Sequence, residues 1–157
     1  MDWMEQFWVI VDTGYAMVLG GAIGLEREMK NRPAGFRTHM LVAGASSLLI
    51  GIGQLSLADA RLAPPGQIST DPLRLVEAVI AGVAFIGAGT IFSRRRGQAI
   101  AGITTAASLL MVAVIGVAAG FGYHALALAA ALLTLLVLAL LNVMERRVSA
   151  RLPPPDH

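Results

Sequence analysis

Residues 125–141 read "ALALAAALLTLLVLALL", seventeen residues with no charge and only one hydroxyl. A helix crosses ~30 Å of hydrocarbon in ~20 residues. With its flanks, Tyr123–Met144, this stretch is long enough to span a bilayer. The whole chain agrees. Its 157 residues are 56% hydrophobic and 14% charged, with a mean hydropathy of +0.70. A soluble domain carries ~25% charged residues, and one of this size keeps much of its surface in water. Lipid as solvent removes that conflict.

Working outward, four more spans are predicted: Trp3–Leu25, Phe36–Leu57, Pro72–Phe92 and Ala99–Ala119. Only "GFGY" at 120–123 separates the last two spans, so a tight hairpin joins them. The expected fold is all-α, a polytopic bundle of five transmembrane helices over residues 1–148, with 149–157 ("RLPPPDH" at its end) as a short disordered tail. Asp71 should N-cap the third helix, with Pro72 at its first position. The acidic start, MDWMEQFW, lacks the basic region of a secretory signal peptide, so the first span is expected to stay in place.

Of the twelve Lys and Arg, ten lie in the first and third connections or after the fifth span. Only Arg61 and Arg74 lie on the other side. The positive-inside rule then places the N-terminus outside and the C-terminus in the cytoplasm, a parity that an odd number of spans supplies. A pI near 9.7 therefore speaks for lipid and topology rather than nucleic acid. The absence of Cys excludes disulfides and thiolate metal sites.

In lipid, small residues must bring helices together. Gly20-x-x-x-Gly24, the Ala81/Ala84/Ala88 side of the third span with Gly82 and Gly89, and Thr104, Ser108, Gly116 and Gly120 on the fourth form such faces, which are expected to meet one another. Asp12 and Glu77 are expected to be intramembrane acids, in the outer half of the bilayer or near its middle. A charge facing lipid costs ~2.5–3.5 kcal/mol there, so both are expected to point inward. The structural expectation is pairing, with Arg74 three residues from Glu77. The functional one is a cation or proton site, with Asp12 and Glu77 as candidate magnesium ligands that would leave the ion several waters. Otherwise no cofactor is expected.

The charge concentrates in "GLEREMKNRPAGFRTH", Gly24–His39. Topology needs Lys and Arg, but not Glu26 and Glu28 among them, nor a Pro-Ala-Gly turn. A salt-bridged cluster at the cytoplasmic interface fits better, able to dock a protein or lipid headgroups. No P-loop, G-x-G-x-x-G, H-E-x-x-H or G-x-S-x-G is present, and His39, His124 and His157 are far apart, so an enzyme is not expected. Thr104, Thr105 and Ser108 have no evident base in the sequence, and hydrogen bonds to the preceding turn or across helices are expected of them.

This stretch resembles the signature of the MgtC/SapB family of bacterial membrane proteins. "DPLRLVEAVIAGVAFIGAGTI" and "AGITTAASLLMVAVIGVAAGFGY" are similar to two further blocks of that family, in the same order. Ala84 stands where the family usually has Gly, Ile103 where it often has Leu, and Ala101 where Arg or Lys commonly precedes the Gly. The resemblance implies functional positions at Glu26, Arg27, Glu28, Arg32, Pro33, Gly35, Arg37, Thr38, His39, Asp71, Arg74, Gly87, Gly89, Thr104 and Thr105. It implies a multi-pass protein of the bacterial inner membrane with a role in adaptation to low magnesium. In some members it implies inhibition of the F-type ATP synthase within the membrane, and an older label is magnesium transport. Longer members append a cytosolic domain, absent from these 157 residues. The expected partners are the lipid bilayer, the membrane sector of the ATP synthase and a second copy of the chain.

Overall fold

A computed structural model describes residues 3–59, 71–92 and 101–149, apart from the side chains of 92, 101 and 142–149. Five α-helices make up the described residues: α1 (Trp3–Met29), α2 (Phe36–Ala58), α3 (Pro72–Phe92), α4 (Ala101–Gly120) and α5 (His124–Ser149). All five are long and apolar enough to cross a membrane. The expectations for Arg61 and its loop, for Arg94, Arg95 and Arg96, for Arg151 and for the tail lie outside the described residues.

Two helix ends are closed by the same device. At the end of α1, Arg32 N–H reaches the Arg27 carbonyl (3.1 Å) and Asn31 N–H the Glu28 carbonyl (2.9 Å). Asn31 takes the left-handed conformation that this cap requires, φ 52°. Pro33 follows and prevents the helix from resuming. Between α4 and α5, Tyr123 N–H bonds Ala118 O and Gly122 N–H bonds Ala119 O, with Gly122 at φ 81°. The tight hairpin read from "GFGY" is therefore present. So is the cap on α3: the Asp71 carboxylate accepts from Leu73 N–H at 2.9 Å.

The helices alternate in direction. Gly24 of α1 lies against Phe36 and His39 of α2, while Gly51 of α2 lies against Val9, so α1 and α2 are antiparallel. Gly116 faces Ala43 and Ser46, and Gly120 faces Ser47 and Ile50, so α4 runs parallel to α2. Gly53 against Leu75, and Thr90 against Gly102, set α3 antiparallel to both. The core is filled by Ile23, Ile50, Leu109, Val112 and Ile115, all fully buried. α4 lies at its centre and touches every other helix. Outward, α5 presents Leu126, Leu132, Leu133, Leu136 and Leu140, a face suited to acyl chains.

Two expectations need correction. The glycine faces of α1 and α4 do not meet each other; both meet α2. A Cβ on Gly24 would stand 2.8 Å from Phe36 Cα, and one on Gly120 2.7 Å from the Ser47 carbonyl. The small face of α3 is largely open: a Cβ on Gly82 or Gly89 would meet nothing within 4 Å, and only Gly87 approaches a neighbour, Ala106. A stripe of small residues permits close approach without naming the helix that approaches.

Candidate functional site

α1 continues past Leu25 to Met29, so Glu26, Arg27 and Glu28 occupy one helical turn and point in three directions. Glu26 pairs with Lys30 one turn on. Arg27 turns into the bundle, 3% exposed, within electrostatic range of His39. Glu28 crosses the turn, and its Oε2 accepts from Phe36 N–H at 2.7 Å. Phe36 opens α2, whose first N–H groups have no partner in their own helix. A carboxylate there caps the helix and opposes the positive end of its dipole. The capping position itself belongs to Gly35, which has no side chain to offer. A Cβ on Gly35 would stand 2.7 Å from the same Glu28 oxygen, so a side chain there would displace the carboxylate from its capping position.

One turn into α2, His39 is fully buried where α1, α2 and α4 converge. Its Nδ1 lies 3.0 Å from the Gly35 carbonyl, which can only accept, so Nδ1 carries the proton. Its Nε2 lies 3.1 Å from Ser108 Oγ. Ser108 Oγ is also 2.8 Å from the Thr105 carbonyl. The hydroxyl thus has one proton for two acceptors when the ring is neutral. With the ring protonated, Nε2 donates to Oγ and the hydroxyl is left to Thr105. Thr105 Oγ1 is buried and, among the described residues, has no hydrogen-bond partner. Ser108 therefore does have a base beside it, which corrects the sequence expectation, and Thr105 does not make the expected bond to its preceding turn.

The structure gathers Glu26, Arg27, Glu28, Arg32, Gly35 and His39 with Thr105 and Ser108 at one end of the bundle. Gly87 is buried against α4 near that end, whereas Gly89 and Thr104 are exposed. Pro33 and Arg37 are exposed and Thr38 is half-buried on its rim. Asp71 and Arg74, at the start of α3, belong to the opposite end.

That opposite end holds the two acids. Asp12 Oδ1 meets His124 Nε2 at 2.7 Å, and Tyr15 donates its hydroxyl to the His124 carbonyl (2.9 Å) with its ring edge-on to the imidazole. Sequence reasoning missed this tie of α1 to α5. The signal available was that the expected topology puts Asp12 and His124 at the same end of the bundle. Glu77 is exposed rather than inward-facing, and it makes no ion pair with Arg74 among the described residues. α1 and α3 do not touch, so one chain does not bring Asp12 and Glu77 together. The described residues contain no group of three or more His, Asp or Glu able to hold a metal.

A model of the MgtC family matches residues 14–147. "Putative magnesium transporter YhiD" of Escherichia coli K12 is 38% identical over 133 residues, 85% of this chain and 60% of that protein. SapB of Bacillus subtilis is 35% identical over 148 residues, 94% and 62% respectively. MgtC of Salmonella typhimurium LT2 is 35% identical over 146 residues, 93% and 58%. The chain thus spans about three-fifths of the length of these relatives. No solved structure matches it. By the family match over most of its length, the chain belongs to the MgtC family.

Proposed function

We propose that this chain is a non-enzymatic regulator in the bacterial inner membrane, linked to magnesium homeostasis, with the Gly24–His39 end in the cytoplasm. The observation that carries this reading is how the motif's charged and polar groups are arranged. Glu28 caps α2, Glu26 holds Lys30, and His39 joins α2 to α4. These groups fix the shape of one end of the bundle, and the rim they support, with Arg37 and Pro33, faces outward. His39 and Ser108 are buried in a helix junction, which suits a tie better than a base and its nucleophile. The centre is filled with aliphatic side chains, whereas a pore needs a polar lining.

The partner in this reading is the membrane sector of the F-type ATP synthase, and its support is the family resemblance. The test is ATP-driven proton pumping in inverted vesicles, with and without the protein. Inhibition that rises with the amount of protein is expected, and unchanged pumping at a clear excess removes this partner. A second reading, a small transporter for magnesium or another solute, draws on the name of the YhiD relative and on the exposed Glu77. It requires magnesium flux into proteoliposomes that falls in Asp12→Asn or Glu77→Gln.

A further inference from the structure

A groove of about 390 Å³ runs between α2 and α3, lined by residues within 41–49 of α2 and 78–86 of α3. Its floor is the buried Val42, Val79 and Val83. The one hydroxyl in its lining, Ser46, is spent on the Val42 carbonyl at 2.8 Å. The groove therefore offers no free polar group, and only an apolar occupant gains by entering it. Eight residues of helix rise ~12 Å. Spread over that length, the volume leaves a section of roughly 30 Å². A helix with its side chains is ~10 Å across and does not fit. An unbranched hydrocarbon chain does.

The two ends of the groove differ. Near the start of α3, Leu75 lies against Gly53 and closes α3 onto α2. Toward the motif, the preceding turn of α2 carries Arg37 and Thr38. Arg37 stands one turn before Leu41 and Thr38 one turn before Val42, which places both at the mouth of the groove. Arg37 is exposed and, among the described residues, has no ion-pair partner. It is the second residue of a helix of membrane-spanning length, so its long side chain reaches the headgroup level. Guanidinium binds phosphate through paired N–H groups. A slot of hydrocarbon width with a cation at its mouth matches the two parts of one molecule, an acyl chain and an anionic headgroup.

We propose that the α2–α3 groove is a lipid site: it holds one acyl chain of an anionic phospholipid from the leaflet at the motif end, with the headgroup phosphate bound by Arg37. The site is the same whichever side of the membrane that end faces, so it stands apart from the function proposed above.

Native mass spectrometry tests it, on protein purified in mild detergent with phosphatidylglycerol or phosphatidylethanolamine added. One phosphatidylglycerol per chain is expected to persist, favoured over phosphatidylethanolamine by about fivefold, the effect of one basic residue facing anionic lipid. Gly82→Leu puts a side chain into the groove, where a Cβ meets nothing within 4 Å, and should abolish retention. Gly14→Leu is equally open but lies on α1, which does not touch α3, and should keep the lipid. Arg37→Gln should remove the preference for phosphatidylglycerol. Arg74→Gln, which removes an exposed cation at the opposite end, should leave it intact. Retention that survives Gly82→Leu, equal retention of the two lipids, or a preference that survives Arg37→Gln overturns the proposal, as does an unaltered chain that keeps no lipid. Unchanged melting of Gly82→Leu shows that its loss is not one of folding; should it melt lower, the Arg37→Gln arm decides alone.

Discussion

α2 and α3 have the same mean hydropathy, 1.7, over their most apolar windows, and both are rich in small residues. Yet α2 is clasped between the glycines of α1 and α4, and α3 leans on the bundle by one side only. Hydropathy reports that a helix prefers lipid to water. It does not report which face meets lipid and which meets protein, because both are apolar. What separates the two helices is the company of their small residues. Those lining α2 face backbone at contact distance, whereas Gly82 and Gly89 face open space.

The sharpest way to break this contrast is to place a bulky side chain in each setting. Gly120→Leu would force α4 away from the Ser47 backbone, which cannot yield as a flexible side chain does. We expect a loss of about 3 kcal/mol, seen as a lowered or lost cooperative melting transition in mild detergent. Gly82→Leu, with no atom near its Cβ, should leave that transition unchanged. Equal sensitivity at the two positions would contradict the packing described.

A smaller effect separates the two ends of the bundle. Glu28→Ala removes the cap of α2 and leaves Phe36 N–H without its acceptor, for an expected loss of ~1 kcal/mol in denaturant unfolding. Glu28→Gln retains an acceptor and should recover part of it. The smallest effect is expected at the other end, from Asp12→Asn. His124 is half exposed, so the pair contributes under ~1 kcal/mol, and the change should loosen the α1–α5 contact without altering the melting midpoint appreciably.

Features set by neighbouring residues or by the solvent were legible in the sequence. The five spans follow from apolar length, the α4–α5 hairpin from its glycines, and the cap on α3 from Asp71-Pro72. The Gly20-x-x-x-Gly24 motif announced a close helix contact. Features set by the rotation of one helix against another were not legible. Glu77 shares a stripe with alanines, which suggested an inward face; α3 in fact turns that stripe away from the core. Asp12 and His124 are separated by 112 positions, and no local periodicity relates them. Of the site, the charged stretch was legible as a cluster, but its geometry was not. Glu28 reaches across the turn to cap a different helix eight positions on, and Ser108 comes to His39 from a helix sixty-nine positions away.

The central claim is that the motif end of the bundle and the Asp12–His124 end lie on opposite sides of the membrane, with the motif in the cytoplasm. Met29 and Tyr123 are exposed at the two ends, 77% and 62%. Met29→Cys and Tyr123→Cys can be labelled in intact, outer-membrane-permeabilised cells with a maleimide that does not cross the inner membrane. The account predicts labelling at position 123 only, and labelling at 29 only after the inner membrane is opened. Labelling of both from outside, or of 29 alone, would contradict it.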